Sequence, residues 1–121
     1  MADHRKMAVW LKSMDLVEEV YKLTKQLPNS EVYGLISQTT RAVISIPSNV
    51  AEGYRRGTKN EFHRFLSIAY GSAAELETQL EIVKRIYPEK VSSVQKADDL
   101  LGEVIRLLHT MTKNTRSPII S

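Results

Sequence analysis

Apolar residues return at three- and four-residue steps through almost the whole chain, and the pattern is broken only where proline, glycine or capping residues intervene. In the first periodic segment, from about His4 to Gln26, Met7, Trp10, Met14, Val17 and Tyr21 form one row. Val9, Leu16, Val20, Leu23 and Leu27 form a second. Two adjacent rows make a wide apolar face, as a helix packed against two neighbours needs. Pro28 disfavours helix at Leu27, Asn29 or Ser30 can cap the next helix, and Glu31 suits the positive end of that helix's dipole.

The second segment, about Glu31 to Arg56, carries Ile36, Val43, Pro47, Val50 and Tyr54 in one row. Pro47 removes one backbone donor, but the period continues in phase on both sides, which predicts a kinked, continuous helix. The Val43 carbonyl loses its amide partner there, and the hydroxyls of Ser45 and Ser48 are near enough in sequence to solvate it. Gly57 stops the helix as a residue free to turn left-handed. Thr58-Lys59-Asn60-Glu61 then matches a capping box, with Thr58 on the Glu61 amide and Glu61 reaching back.

The third segment runs from about Lys59 to Tyr87 through Phe62, Phe65, Ala69, Ala73, Leu76, Leu80 and Val83, and Pro88 ends it. Ala69, Gly71, Ser72 and Ala73 form a small-residue patch that invites a close neighbour. The fourth, about Lys90 to Lys113, carries Val94, Ala97, Leu101, Val104, Leu108 and Met111; residues 114–121 lack periodicity and are expected to be a frayed tail. Four amphipathic helices with short connections predict a single all-α domain, an antiparallel up-down four-helix bundle spanning residues 1–121.

Composition narrows the chemistry. There is no cysteine, which excludes disulfides and thiolate metal sites. The apolar run at Met7–Leu11 is too short for a signal peptide and nothing reaches membrane-spanning length, so a cytoplasmic protein is expected. His4, His63 and His109 have no metal-ligand spacing and are expected on the surface; no metal and no cofactor is predicted. Gly53, Gly57 and Gly71 lack the spacing and strand context of a phosphate-binding loop, and Glu77 and Glu81 followed by Lys84 and Arg85 look like a solvated face. No catalytic constellation emerges, so an enzyme is not expected.

The net charge of +3 alone decides little. Its placement matters more. Arg41, Ser45, Ser48, Glu52 and Arg55 step along one face of the second segment, and Arg56, Lys59 and Arg64 come soon after. The core does not need such a row. Arginines at this density suit phosphates, which makes Arg41, Arg55, Arg56, Lys59 and Arg64 candidate RNA contacts. The competing expectation is a polar contact between subunits, or a solvated face on which Glu52 pairs with a neighbouring arginine. Tyr33, Tyr54 and Tyr70 offer ring faces, though tyrosines at helical spacing more often pack half-buried.

Arg41-Ala42-Val43-Ile44-Ser45-Ile46-Pro47-Ser48-Asn49-Val50-Ala51-Glu52-Gly53, together with Glu61-Phe62, Phe65-Leu66, Gly71-Ser72 and Glu75-Leu76-Glu77, resembles the four-helix-bundle proteins of the 23S rRNA intervening-sequence family. The similarity runs from Trp10 to about Leu108. Thr40 stands where that family usually has a further arginine. The resemblance implies a non-enzymatic bundle that assembles as a homo-oligomer, typically a pentameric ring, with an RNA-related role involving RNA or a ribonucleoprotein partner.

Overall fold

A computed structural model describes residues 3–116, and these form an all-α chain of four long helices with no strand among the described residues. A 3₁₀ turn at His4–Lys6 precedes α1, Ala8–Thr24. A 3₁₀ turn at Asn29–Glu31 and a π-helical turn at Val32–Ile36 lead into α2, Ser37–Arg55. Helix α3 spans Lys59–Ile86, and a 3₁₀ turn at Pro88–Lys90 joins it to α4, Val91–Thr115. Helix α2 packs on α3, α3 on α4, and α1 on both α2 and α4.

The core follows the second of the two α1 rows. Val9, Leu16, Val20, Leu23 and Leu27 are buried, whereas Met14 and Tyr21 in the first row keep substantial exposure. Val43, Ile46 and Val50 from α2, Leu66, Leu76, Leu80 and Val83 from α3, and Leu101, Val104 and Leu108 from α4 complete one cluster. Each fully buried Leu or Val contributes on the order of 1.5–3 kcal/mol, so this cluster dominates the stability of the fold. Buried hydroxyls cost little, because most return to the preceding turn of their own helix and Ser72 pairs with Ser45 across to α2. Ser13 donates to the Trp10 carbonyl (2.9 Å), Thr39 to Leu35 (2.8 Å) and Thr112 to His109 (2.9 Å).

Polar cross-links tie the helices at several levels. Lys12 meets Glu103 (3.4 Å) and Gln26 meets Ser93 (2.8 Å) between α1, its C-terminal turn and α4. The Ser45 and Ser72 hydroxyls join α2 to α3 at 2.7 Å, and Lys84 pairs with Asp98 between α3 and α4.

Several boundaries differ from the sequence expectation. The first helix is shorter, since Met7 is extended and leaves His4–Lys6 as a separate turn. The second begins at Ser37, because at Gly34 the dihedrals (φ −114°, ψ −111°) leave the helical range and the chain passes through a π turn. Glu31 closes that turn, accepting from the Leu35 amide (3.4 Å) and from the Tyr87 hydroxyl (2.5 Å). The Ser45 hydroxyl is taken up by Ser72 and by Asn49 (2.9 Å), not by the Val43 carbonyl. Asn114 and Thr115, expected in a frayed tail, belong to α4, while residues 117–121 of that tail lie outside the described residues.

The α2–α3 corner is as expected at its glycine and halfway so at its cap. Gly57 has φ +86°, the left-handed conformation that glycine adopts at no steric cost. Thr58 Oγ1 accepts from the Glu61 amide at 3.2 Å. The Glu61 carboxylate turns outward to Arg64 (3.2 Å) and Arg56 (4.0 Å) instead of back to the cap. Thr58→Ala should therefore lose about 1 kcal/mol of stability from the hydroxyl alone. Thermal unfolding by circular dichroism checks this; an unchanged midpoint would mean the cap contributes nothing.

Candidate nucleic-acid interface

The five basic residues of the sequence expectation do not form one stripe. Arg41 lies 14 positions before Arg55 on α2, about 21 Å along the axis at the usual helical rise. It borders a groove of about 370 Å³ between α2 and α3, with Gln38, Ser45, Ser72, Glu75 and Gln79. Among the described residues Arg41 makes no ion pair. Gln79 is 8% exposed, and its Oε1 is the buried side-chain polar atom left without a hydrogen-bond partner among the described residues.

Arg55, Arg56, Lys59 and Arg64 gather around the α2–α3 corner. Three of them are engaged. Arg56 binds Glu52 at 2.7 Å, one helical turn back, and this bond raises its guanidinium further above its ordinary pKa. Arg64 binds Glu61 at 3.2 Å. The two guanidiniums flank the Phe65 ring, 5.1 Å and 5.0 Å from its centroid. Phe65, a core position by its periodicity, thus also fixes the direction of both cations. Arg55 contacts Asp3 (3.7 Å) and the ring Nδ1 of His4 (3.4 Å) across the gap to the N-terminal turn. Hydrogen bonds from the Arg5 side chain and amide hold the Asp3 carboxyl well below the usual carboxylate range, so it stays charged beside Arg55. Lys59 makes no ion pair among the described residues.

The helix packing adds cations that the linear pattern did not. Arg55 on the N-terminal turn, and His63 Nδ1 on the Thr115 hydroxyl (3.0 Å), place the start of α1, the α2–α3 corner and the end of α4 together at one end of the chain's fold. Residues 3–9, 49–66 and 109–116 hold eight of the 17 Lys and Arg but three of the 14 carboxylates, so this end carries five net positive charges and the remainder two net negative. Arg5, Lys6, Lys113 and Arg116 are the members that periodicity could not group with the arginines of α2. Their signal in the sequence is a charge imbalance at segment ends, visible only once the ends are known to meet.

Residues 5–116 match the family of 23S rRNA-intervening sequence proteins. The chain belongs to that family. Among solved structures, a protein of unknown function from the S23 ribosomal protein family of Bacteroides thetaiotaomicron superposes with a TM-score of 0.79 at 25% identity, over 88% of this chain and 99% of that one. Among curated proteins none matches.

In this 23S rRNA-intervening sequence protein the Ser-Ile-Pro-Ser-Asn-x-Ala-Glu-Gly run meets α3 at its two ends, Ser45 and Gly53, while Pro47 and Ala51 border the groove toward α1. Ile46, Pro47, Val50 and Gly53 are buried, Asn49 donates to the Ser45 carbonyl (2.7 Å), and Ser45 reaches Ser72. A Cβ added at Gly53 would lie 2.6 Å from the Phe65 Cβ. Ser48 and Glu52 lie toward the outside of the helix, with the Glu52 carboxylate about half exposed. No His, Asp or Glu group suited to a metal occurs among the described residues, and no described helix is long and apolar enough to cross a membrane.

Proposed function

We propose that this family member is a non-enzymatic, cytoplasmic homo-oligomer that binds RNA through its basic end, with Arg55, Arg56, Lys59 and Arg64 at the centre of the surface. The observation that carries the proposal is the charge partition: five net positive charges at one end against two net negative elsewhere. A field of that kind attracts a polyanion and orients it, while the acidic remainder repels it. Three of the four basic residues at the corner already hold a carboxylate or share one. Phosphates must then compete with Asp3, Glu52 and Glu61, so affinity is moderate and salt-sensitive.

The proposal includes an antiparallel up-down bundle with a bend in α2 at Pro47. The antiparallel arrangement is supported by the order of the cross-helix bonds, and the bend by the backbone donor that Pro47 removes inside α2. Along α3 and α4, His63 meets Thr115, Tyr70 meets His109 and Lys84 meets Asp98; along α1 and α4, Lys12 meets Glu103 and Lys96 meets Glu19. In each pair, positions rise on one helix as they fall on the other.

The test is a titration of a labelled large-subunit rRNA fragment at increasing salt. With four to six phosphates neutralised, the association constant should fall by roughly 10²–10³-fold between about 50 and 200 mM monovalent salt. Undetectable binding at low salt, or binding that ignores salt, would remove the proposal.

A second role falls to Arg41, as a contact between subunits. Arg41 borders the polar groove between α2 and α3 and makes no ion pair among the described residues, which leaves its guanidinium available to a carboxylate of another copy. A ring needs two different complementary patches on each copy. The apolar groove of Trp10, Met14, Val17, Ile44, Pro47 and Ala51 between α1 and α2 is suited to be the other, with Met14 38% and Ile44 43% exposed.

A further inference from the structure

Between α3 and α4, on the basic end, a groove of about 480 Å³ is lined by His63, Ser67, Tyr70, His109, Thr112, Lys113 and Arg116. No carboxylate is among its lining residues. That separates it from the α2–α3 corner, where Glu52 and Glu61 occupy the arginines. We propose that this groove, and not the arginine-rich corner, is the tightest contact for single-stranded RNA, seating a phosphate between Lys113 and Arg116 and a base against the rings of Tyr70 and His109. The inference rests on the basic end being the RNA-binding surface and names the site within it.

Three features of the groove carry the assignment. Lys113 and Arg116 stand three positions apart, hence on one side of the chain, and neither makes an ion pair among the described residues. A phosphate arriving there displaces water and counterions but no protein carboxylate, so the full attraction goes into binding. Next to them the Tyr70 and His109 rings lie with centroids 6.0 Å apart, tilted by 55°, and linked from the Tyr70 hydroxyl to His109 Nδ1 at 3.3 Å. That link holds both rings in place before a ligand arrives, which lowers the entropy lost on stacking. Finally, the Thr115 hydroxyl donates to the Met111 carbonyl at 2.8 Å, so its contact with His63 Nδ1 at 3.0 Å requires the imidazole to donate. His63 is thereby pinned across the two helices as a positioning residue at the rim of the groove.

The volume falls in the range of about 300–1,000 Å³ usual for small-ligand sites, enough for one nucleotide unit with the chain running on in both directions. An acidic peptide would satisfy Lys113 and Arg116 but would gain nothing from the ring faces. The combination of unshared cations with adjacent aromatic faces selects a base-bearing phosphate chain.

The test uses the full chain, a labelled twelve-nucleotide single-stranded RNA and fluorescence anisotropy at about 50 mM salt, with helicity and melting temperature checked for each variant. Lys113→Glu with Arg116→Glu should weaken binding by roughly 10³-fold or more, a larger loss than the same charge reversal at Arg55 and Arg56. Tyr70→Leu should weaken it by roughly 5- to 100-fold, and Tyr70→Phe should restore most of that. An abasic ribose-phosphate chain should bind weakly and equally to wild type and Tyr70→Leu. If Lys113→Glu with Arg116→Glu binds within twofold of wild type while Arg55→Glu with Arg56→Glu does not bind, the groove assignment is overturned and the basic end stands. Equal competition by polyglutamate of the same length would also overturn it, since the rings would then play no part. If wild type itself shows no binding, both proposals fall together.

Discussion

Gly53→Val is expected to cost about 3 kcal/mol or more and to lower the melting temperature by roughly 10 °C. Here α2 and α3 approach so closely that any Cβ on residue 53 would sit 2.6 Å from the Phe65 Cβ and 3.3 Å from the Phe62 ring. The clash is with a Cβ, which moves only if the α3 backbone moves. A branched side chain must therefore push the helices apart, opening the Ser45–Ser72 bond and the packing of Val50 beyond it. Gly71→Ala has the opposite expected sign. Nothing lies within 4 Å of a Cβ at Gly71, which is exposed on α3. Alanine there gains roughly 0.5–1 kcal/mol through helix propensity and a smaller unfolded-state entropy. Thermal or urea unfolding of the two variants measures both effects. A stable Gly53→Val protein would mean that the close approach does not exist.

Charge changes at the α2–α3 corner should move RNA affinity in both directions. Arg55→Glu with Arg56→Glu changes the basic end from five net positive charges to one, and binding should fall by roughly 10²-fold or more at low salt. Glu52→Gln with Glu61→Gln should raise affinity several-fold, because it releases Arg56 and Arg64 from the carboxylates 2.7 Å and 3.2 Å away. The two guanidiniums stay directed by the Phe65 ring between them. Anisotropy with the same labelled rRNA fragment reads both variants. A loss of affinity in the Gln variant would show that the carboxylates help to position the arginines and do not compete with phosphate.

Local signals in the chain carry the element map well and its edges less well. Gly57 and Thr58 mark the α2–α3 corner because their chemistry is local: one residue free to turn left-handed and one hydroxyl over a free amide. The start of α2 is harder to place. Periodicity runs through Ile36 into α2, but the chain leaves helical dihedrals at Gly34, and Glu31 is held by Tyr87, 56 positions away. No window around Glu31 contains that partner. The small-residue patch near Gly71 shows the same limit. Small side chains allow a close approach without saying which of them is approached; Ala69 and Ser72 are buried, Gly71 is open, and the tight contact falls at Gly53.

The candidate site is legible in parts. Arg55, Arg56, Lys59 and Arg64 are neighbours in the chain and remain neighbours in space. Arg41 does not join them, because helical spacing puts residues on one face but also spreads them along it. His63 and His109, expected as ordinary surface imidazoles, face each other's helix through Thr115 and Tyr70.

By itself the sequence determined that this is an all-α chain of four helices in the 23S rRNA-intervening sequence family, with the Gly57–Thr58 corner, most of its buried rows and a pair of arginines at the end of α2. Hydrophobic period and capping are short-range properties, and a linear chain displays them. Only the tertiary structure decided which charges add. Packing brings the first turn, the middle corner and the last turn of the chain to one end, and electrostatic potential depends on distance through space and not on separation along the backbone. The basic end and the carboxylate-free groove within it both arise from that one fact.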